Sequence, residues 1–328
     1  MVYAAQEDRY EKMPYRRVSD SGLILPDLSL GFWRNMGDQR PLADSKSVIL
    51  EAFDNGIFSF DHASNYGPSN GTAEDTFGAV YKSDLKPYRN ELVITTKAGY
   101  HMWPGPYGEF SSKKTLTNAL DLSLQRMHLD YVDIFYAHRW DPETNLRETA
   151  EALDLLVRQG KALYIGVSNY TAEQTAAIAE IFEELHTPFI GNQMSYNMLN
   201  REAEKDNMLD ILDEHHAGLI AYGPLAEGLL TDRYLDGIPA DMPLHRSNAF
   251  IAENPEKAVK QLNELNELAK NRNQSLAQMA MAWLLKDPRV GSLVFGATSS
   301  KHLQANIAAM QNLSFTADEL TAIDNILK

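Results

Sequence analysis

The chain has 328 residues, a formal net charge of −15 and no cysteine, which excludes disulfide frameworks, thiolate nucleophiles and sulfur-ligated metal centres. The acidic balance argues against nucleic-acid partners, which need a basic face, and no stretch reaches the ~18 apolar residues of a bilayer span. Glu7, Asp8, Arg9, Glu11 and Lys12 precede any apolar block, so no secretory signal is read, and a cytoplasmic protein without a membrane partner is expected.

Strand-like and helix-like runs alternate along the chain. A hairpin is read over 15–28, with Ser21-Gly22 as its turn, and a strand over 28–32. A helix over 44–55 carries Val48, Ile49, Ala52 and Phe53 on one face and stops at Gly56. Strands then fall at 57–63, 92–97, 131–138, 162–168, 189–193, 219–222 and 290–295. The helices between and after them are 72–81, 112–127, 146–159, 171–185, 205–215, 256–271, 275–285 and 300–311, the last core helix. A capping box Thr-Ala-Glu-Gln opens the helix at 171, and a loop rich in Gly, Pro and Asp spans 223–247.

Most of these strands are continuous apolar runs, such as Leu92-Val93-Ile94 and Ile134-Phe135-Tyr136, which suits parallel strands buried on both faces. Eight strand–helix units behind a hairpin predict a closed (β/α)8 barrel, read as one domain over 1–328. The rival, a doubly wound sheet with a dinucleotide fingerprint, is disfavoured because no glycine is followed two positions later by another. There is no Walker A motif. His215-His216 has no third ligand, so no metal is implied.

A barrel gathers its chemistry at the C-terminal ends of its strands. Those ends read Gly31-Phe32-Trp33, Asp61 with Tyr66 beyond, Lys97, His138, Ser168-Asn169, Gln193, Tyr222 and Gly296-Ala297-Thr298. Taken singly, Asp61 reads as a turn cap, Tyr66 as packing, and Lys97 and His138 as ordinary strand-end residues. Together they make a carbonyl-reducing set. A lysine at the end of an apolar strand needs a partner, and Asp61 lies on the neighbouring strand. An ammonium beside Tyr66 would lower the phenol's pKa and make it a proton donor, while His138 would orient the carbonyl oxygen. No side chain supplies hydride, so a nicotinamide cofactor is expected.

These residues stand in runs that resemble the aldo-keto reductases from about Tyr15 to Ile326. The runs are Gly56-Ile57-Phe58-Ser59-Phe60-Asp61-His62-Ala63-Ser64-Asn65-Tyr66-Gly67, Ile94-Thr95-Thr96-Lys97, Tyr131-Val132-Asp133-Ile134-Phe135-Tyr136-Ala137-His138 and Ile165-Gly166-Val167-Ser168-Asn169. Gly223-Pro224-Leu225-Ala226-Glu227-Gly228-Leu229-Leu230 and Trp103-Pro104-Gly105-Pro106-Tyr107-Gly108 look closest to the branch of potassium-channel β-subunits and bacterial reductases of L-glyceraldehyde 3-phosphate and methylglyoxal. The resemblance implies a catalytic tetrad of Asp61, Tyr66, Lys97 and His138, with Tyr66 as general acid, reducing small aldehydes or ketones with NADP(H). It implies that Ser168, Asn169 and Gln193 hold the nicotinamide amide, that Tyr222 stacks on the ring, and that Trp33 and Asp61 lie near the ribose. Gly223, Leu225, Gly228 and Arg233 would follow the pyrophosphate, and Gly296, Thr298, His302 and Asn306 the adenosine end. Trp33, Trp103 and Arg139, with Tyr66 and His138, would line the substrate pocket. A homo-oligomer, a tetramer or larger, is implied by the same branch.

The chain departs from the family at the cofactor's far end. The Ser-Arg pair that reads the 2′-phosphate in relatives is missing or displaced to Arg246, and His302 and Ala305 stand where relatives have Gln and Glu. The choice between NADPH and NADH stays open there, with Lys301 as a compensating cation. Two rivals remain at this stage: a Schiff-base lyase using Lys97, and a cofactor-bound regulatory subunit of the channel type, in which Asn would replace His138.

Overall fold

The computed structural model describes residues 3–34, 36–239, 250–251 and 254–328, so Arg246 lies outside the described residues. The chain opens with an antiparallel hairpin of β1 (Tyr15–Arg17) and β2 (Ile24–Pro26). Eight parallel strands follow: β3 (Leu28–Gly31), β4 (Ser59–Asp61), β5 (Val93–Ala98), β6 (Val132–Ala137), β7 (Ala162–Ser168), β8 (Phe189–Ser195), β9 (Gly218–Tyr222) and β10 (Val290–Phe295). Each pairs with the next, and β10 pairs with both β9 and β3, closing the barrel. Around it lie α1 (Leu42–Asp54), α2 (Thr72–Val80), α3 (Lys113–Met127), α4 (Leu146–Arg158), α5 (Ala172–Leu185), α6 (Glu202–Lys205), α7 (Met208–Glu214), α8 (Pro255–Asn271), α9 (Leu276–Leu284), α10 (Ser300–Ile307) and α11 (Ala317–Ile326). This is the expected (β/α)8 barrel with an N-terminal hairpin.

The apolar runs explain the layers. On β5, Val93, Thr95 and Lys97 face the lumen, while Ile94 and Thr96 face the helices, as the two-residue period of a strand requires. The lower lumen is filled by Val93, Ile134, Tyr136, Ile190, Ile220 and Val294. Val18, Leu23 and Leu25 of the hairpin join that cluster, so the hairpin plugs the barrel floor. The upper lumen is left to the polar strand ends.

Strand crowding is tightest at Gly191 of β8. Its φ is +143°, and a Cβ there would sit 1.8 Å from the Gly218 carbonyl oxygen of β9. Gly191→Ala must therefore spread two paired strands. It is expected to cost about 3 kcal/mol or more, read as a lower urea midpoint with an unchanged m-value.

Several boundaries differ from expectation. The strand read over 57–63 is confined to Ser59–Asp61, and only Phe60 and Asp61 are paired on both sides. The helix read over 205–215 is interrupted by Asn207, whose φ of +61° breaks the α-helical course, so α6 and α7 are separate. The helix read to 311 ends at Ile307 and finishes as a 3-10 turn. Helix α11 follows beyond the helix expected to be last. It opens with a Thr316–Glu319 capping box, and that Thr-x-x-Glu signal is present in the sequence.

Candidate active site

Asp61 ends β4, Lys97 is the penultimate residue of β5, and His138 directly follows β6. All three are buried, Lys97 completely. Register places Asp61 opposite Thr95 on β5, which brings Lys97 within reach of its carboxylate. Lys97 Nζ donates to Asp61 Oδ2 at 2.7 Å and to the His62 carbonyl at 2.7 Å. The other carboxylate oxygen accepts from Thr95 Oγ1 at 2.7 Å and from Gln193 Nε2 at 2.9 Å. Burial lowers the Lys97 pKa from its ordinary value, and the Asp61 carboxylate pulls it back up.

Tyr66 stands on the loop after β4, half-buried, with the Lys97 ammonium 5.1 Å from its ring centroid. The His138 ring lies edge-on to it, 5.7 Å between centroids. The four residues read as a set from the sequence thus converge at one mouth.

A hydrogen-bonded chain continues from them. Ser168 Oγ donates to the Gln193 carbonyl at 2.7 Å. Asn169 Nδ2 donates to Ser168 Oγ at 3.1 Å and to the His138 carbonyl at 3.0 Å. Tyr222 OH donates to Asn169 Oδ1 at 2.6 Å. Asn169 takes φ +58°, a left-handed turn that asparagine tolerates and that swings its amide across the strand ends. Ser168, Asn169, Gln193 and Tyr222 therefore belong to one rigid wall with Asp61.

The remaining predicted residues ring this wall without hydrogen-bonding into it among the described residues. Trp33 is 44% exposed beyond β3, with the Arg34 guanidinium 4.1 Å from its ring. Trp103 is half-buried in the loop before α3. Arg139 is held by Glu109 and by the Gly99 carbonyl, and stacks on Tyr100 and Phe110. Leu225 is half-buried, Arg233 and Gly296 are exposed, and Asn306 is buried on α10. Thr298 Oγ1 and His302 Nδ1 share a hydrogen bond of 2.8 Å.

The rim is open to a ligand at two glycines. Gly223 takes φ +67° and Gly228 φ +98°, and a Cβ at either would meet nothing closer than 3.8 Å. The backbone beside Tyr222 is thus open to a ligand rather than packed. Among the described residues its cations include Arg233, Lys301 and Arg40, the last bonded to the Thr298 carbonyl at 2.9 Å. An anionic cofactor needs such local charge on a chain of net charge −15.

Sequence reading missed Thr95, Arg40 and Tyr100. Thr95 lies two residues before Lys97 on the same strand face, and that period could have flagged it. Tyr100, edge-on to His138 at 4.7 Å, and Arg40 carry no such signal, because loop packing alone places them.

His62 is a departure in chemistry behind the site. Its ring is fully buried between Phe32 and Phe77, at centroid distances of 4.0 Å and 4.6 Å, and neither ring nitrogen has a hydrogen-bond partner. Burial, then the Lys97 charge, pushes its pKa well below 6.5. The folded chain therefore binds fewer protons than the unfolded one. Stability from this residue is intact above the unfolded pKa and falls as pH drops below it, by up to about 1.4 kcal/mol per pH unit below pH ~6.5. Urea midpoints at about pH 7.5 and about pH 5.5 should differ less in His62→Leu than in the wild type; an equal fall in both contradicts this.

A barrel with an ion-paired lysine, a tyrosine and a histidine at its open end defines a carbonyl-reductase type of site. The aldo/keto reductase family pattern matches residues 27–328, and the chain belongs to that family. It is 48% identical to L-glyceraldehyde 3-phosphate reductase of Escherichia coli (strain K12), over 99% of this chain and 95% of the relative. It is 32% identical to a probable voltage-gated potassium channel subunit beta of Arabidopsis thaliana, over 91% of each. A putative subunit of the same name in Schizosaccharomyces pombe is 32% identical, over 100% of this chain and 97% of that one. No helix among the described residues is long and apolar enough to cross a membrane.

Proposed function

We propose that this protein reduces small aldehydes, phosphorylated trioses and methylglyoxal among them, to alcohols with NADPH, as a single barrel domain in the cytoplasm. The observation that carries this reading is the buried Lys97–Asp61 pair set beside Tyr66 and His138 at the barrel mouth. The relative named for L-glyceraldehyde 3-phosphate supports the substrate class.

Ser168, Asn169 and Gln193 would hold the nicotinamide amide, with Tyr222 against the ring and Gly223, Leu225, Gly228 and Arg233 along the pyrophosphate. Trp33 and Asp61 would lie near the ribose, and Gly296, Thr298, His302 and Asn306 at the adenosine end. When bound, the reduced nicotinamide supplies the hydride that adds to the carbonyl carbon. The protein's share is the oxygen. Tyr66 holds a proton at its hydroxyl and gives it to the carbonyl oxygen as the π-electron pair moves there. The Lys97 ammonium stabilises the resulting phenolate, and Asp61 keeps that ammonium charged. His138 orients the oxygen, and Trp33 and Trp103 wall the pocket. Arg139 is already paired with Glu109, whereas Arg34 forms no ion pair among the described residues. A substrate phosphate is therefore better met by Arg34.

The lyase reading is disfavoured. Lys97 Nζ is buried and donates to two acceptors, so a carbonyl carbon has no path to its lone pair. A regulatory role, suggested by the channel-subunit relatives, does not require a full tetrad, and this chain carries one. Mixing the protein with L-glyceraldehyde 3-phosphate or methylglyoxal should consume NADPH faster than NADH, read as loss of reduced-dinucleotide absorbance. No consumption of either dinucleotide would overturn the reading.

A further inference from the structure

Behind the barrel wall a second carboxylate is buried against the same strand as Lys97. Glu74 of α2 is fully buried. It accepts from Thr96 Oγ1, the residue before Lys97, at 2.6 Å and from Arg126 Nη1 of α3 at 3.1 Å. Arg126 Nη1 also donates to the Ser64 carbonyl at 3.2 Å. Ser64 is tied to Lys97 in turn, its backbone N–H and its hydroxyl both donating to the Lys97 carbonyl, at 2.9 Å and 2.7 Å.

Tyr66 is two residues further on. Its carbonyl accepts from the N–H groups of Gly71 and Ala73, at 3.1 Å and 3.2 Å, so its backbone is anchored to the first turn of the helix that carries Glu74. The packing leaves no slack. A Cβ on Gly71 would fall 2.3 Å from the Arg126 guanidinium carbon, and one on Gly78 would fall 2.1 Å from the Arg126 carbonyl oxygen.

We propose that Glu74, clamped by Arg126, is a positioning residue for the proton donor: the pair fixes the turn that carries Tyr66. A buried ion pair is a costly way to hold two helices together, because apolar residues of the same volume do so as well or better. Its location explains its use. Burial raises the Glu74 pKa, while Thr96, Ser123 and Arg126 favour its charged form. Lys97 feels Asp61 first and Glu74 second, both supporting its charge against burial. The other titratable groups facing Lys97 are His62, Tyr66 and Tyr136. Removing the Glu74 charge takes away one support of the Lys97 ammonium, which then loses its proton at lower pH.

The inference rests on the reductase reading above. The test is the kcat–pH profile of aldehyde reduction by wild type, Glu74→Gln and Arg126→Lys, with dinucleotide affinity measured by fluorescence. Glu74→Gln should lower kcat by about 10-fold or more and move the alkaline limb down by about half a pH unit or more, with KM and dinucleotide Kd within about threefold. Arg126→Lys keeps the charge but loses the double reach to Glu74 and Ser64. It should lower kcat without moving the limb, and it decides the matter if Glu74→Gln does not fold. An unchanged kcat and an unmoved limb in Glu74→Gln, or an unchanged kcat in Arg126→Lys, overturns the inference while wild type is active. An inactive wild type overturns the reductase reading instead.

Discussion

Tyr66→Phe is expected to lower kcat for aldehyde reduction by about 10²–10⁴-fold, the range a positioned general acid contributes. The substitution removes one oxygen and leaves its surroundings in place. The backbone of residue 66 stays tied to Ala63, Gly71 and Ala73, and the ring still meets the edge of His138. Dinucleotide Kd should stay within about twofold and the loss should fall on kcat, because the missing interaction forms only as the carbonyl oxygen gains charge. Stopped-flow reduction separates the two quantities. A variant with wild-type kcat would remove Tyr66 from the chemistry.

Lys97→Met is expected to fail twice, in activity and in stability. The wild-type ammonium is fully buried and shares its protons between the Asp61 carboxylate and the His62 carbonyl. Methionine fills similar space but leaves Asp61 with only the neutral donors Thr95 and Gln193. An uncompensated buried carboxylate costs about 3–5 kcal/mol, seen as a lower urea midpoint. The double variant Asp61→Asn with Lys97→Met should recover most of that stability and none of the activity. If Lys97→Met alone is as stable as wild type, the pair is not the electrostatic centre of the site.

Much of this candidate site is legible in the sequence, and the reason is physical. Lumen-facing side chains alternate along a strand, so Asp61, Lys97 and His138 had to end on one side of the barrel wall once the strands were found. Ser168 and Gln193 followed for the same reason, sitting opposite each other in the β7–β8 ladder. What stayed hidden depends on contacts between distant segments. Arg126 reaches Ser64 across 62 positions, and Glu74 meets Thr96 across 22; no local pattern announces either. The boundary errors have local causes. Residues 62 and 64 still bond sideways to β5, His62 N–H to the Thr95 carbonyl and Ser64 N–H to the Lys97 carbonyl, after pairing with β3 has ended. Bonding to β5 thus outlasts β4 itself, and the strand reading ran on to Ala63. Helix α11 was overlooked although its capping box and the apolar spacing of Leu320, Ile323 and Ile326 were in plain view.

The most direct test of the whole account follows the hydride. NADPH carrying deuterium at the reactive C4 position is incubated with the protein and L-glyceraldehyde 3-phosphate, and the alcohol is examined by mass spectrometry. The account predicts one deuterium on the former carbonyl carbon in the wild-type product and loss of that product in Tyr66→Phe. Alcohol formed without deuterium, or no alcohol at all from either phosphorylated triose or methylglyoxal, would contradict it.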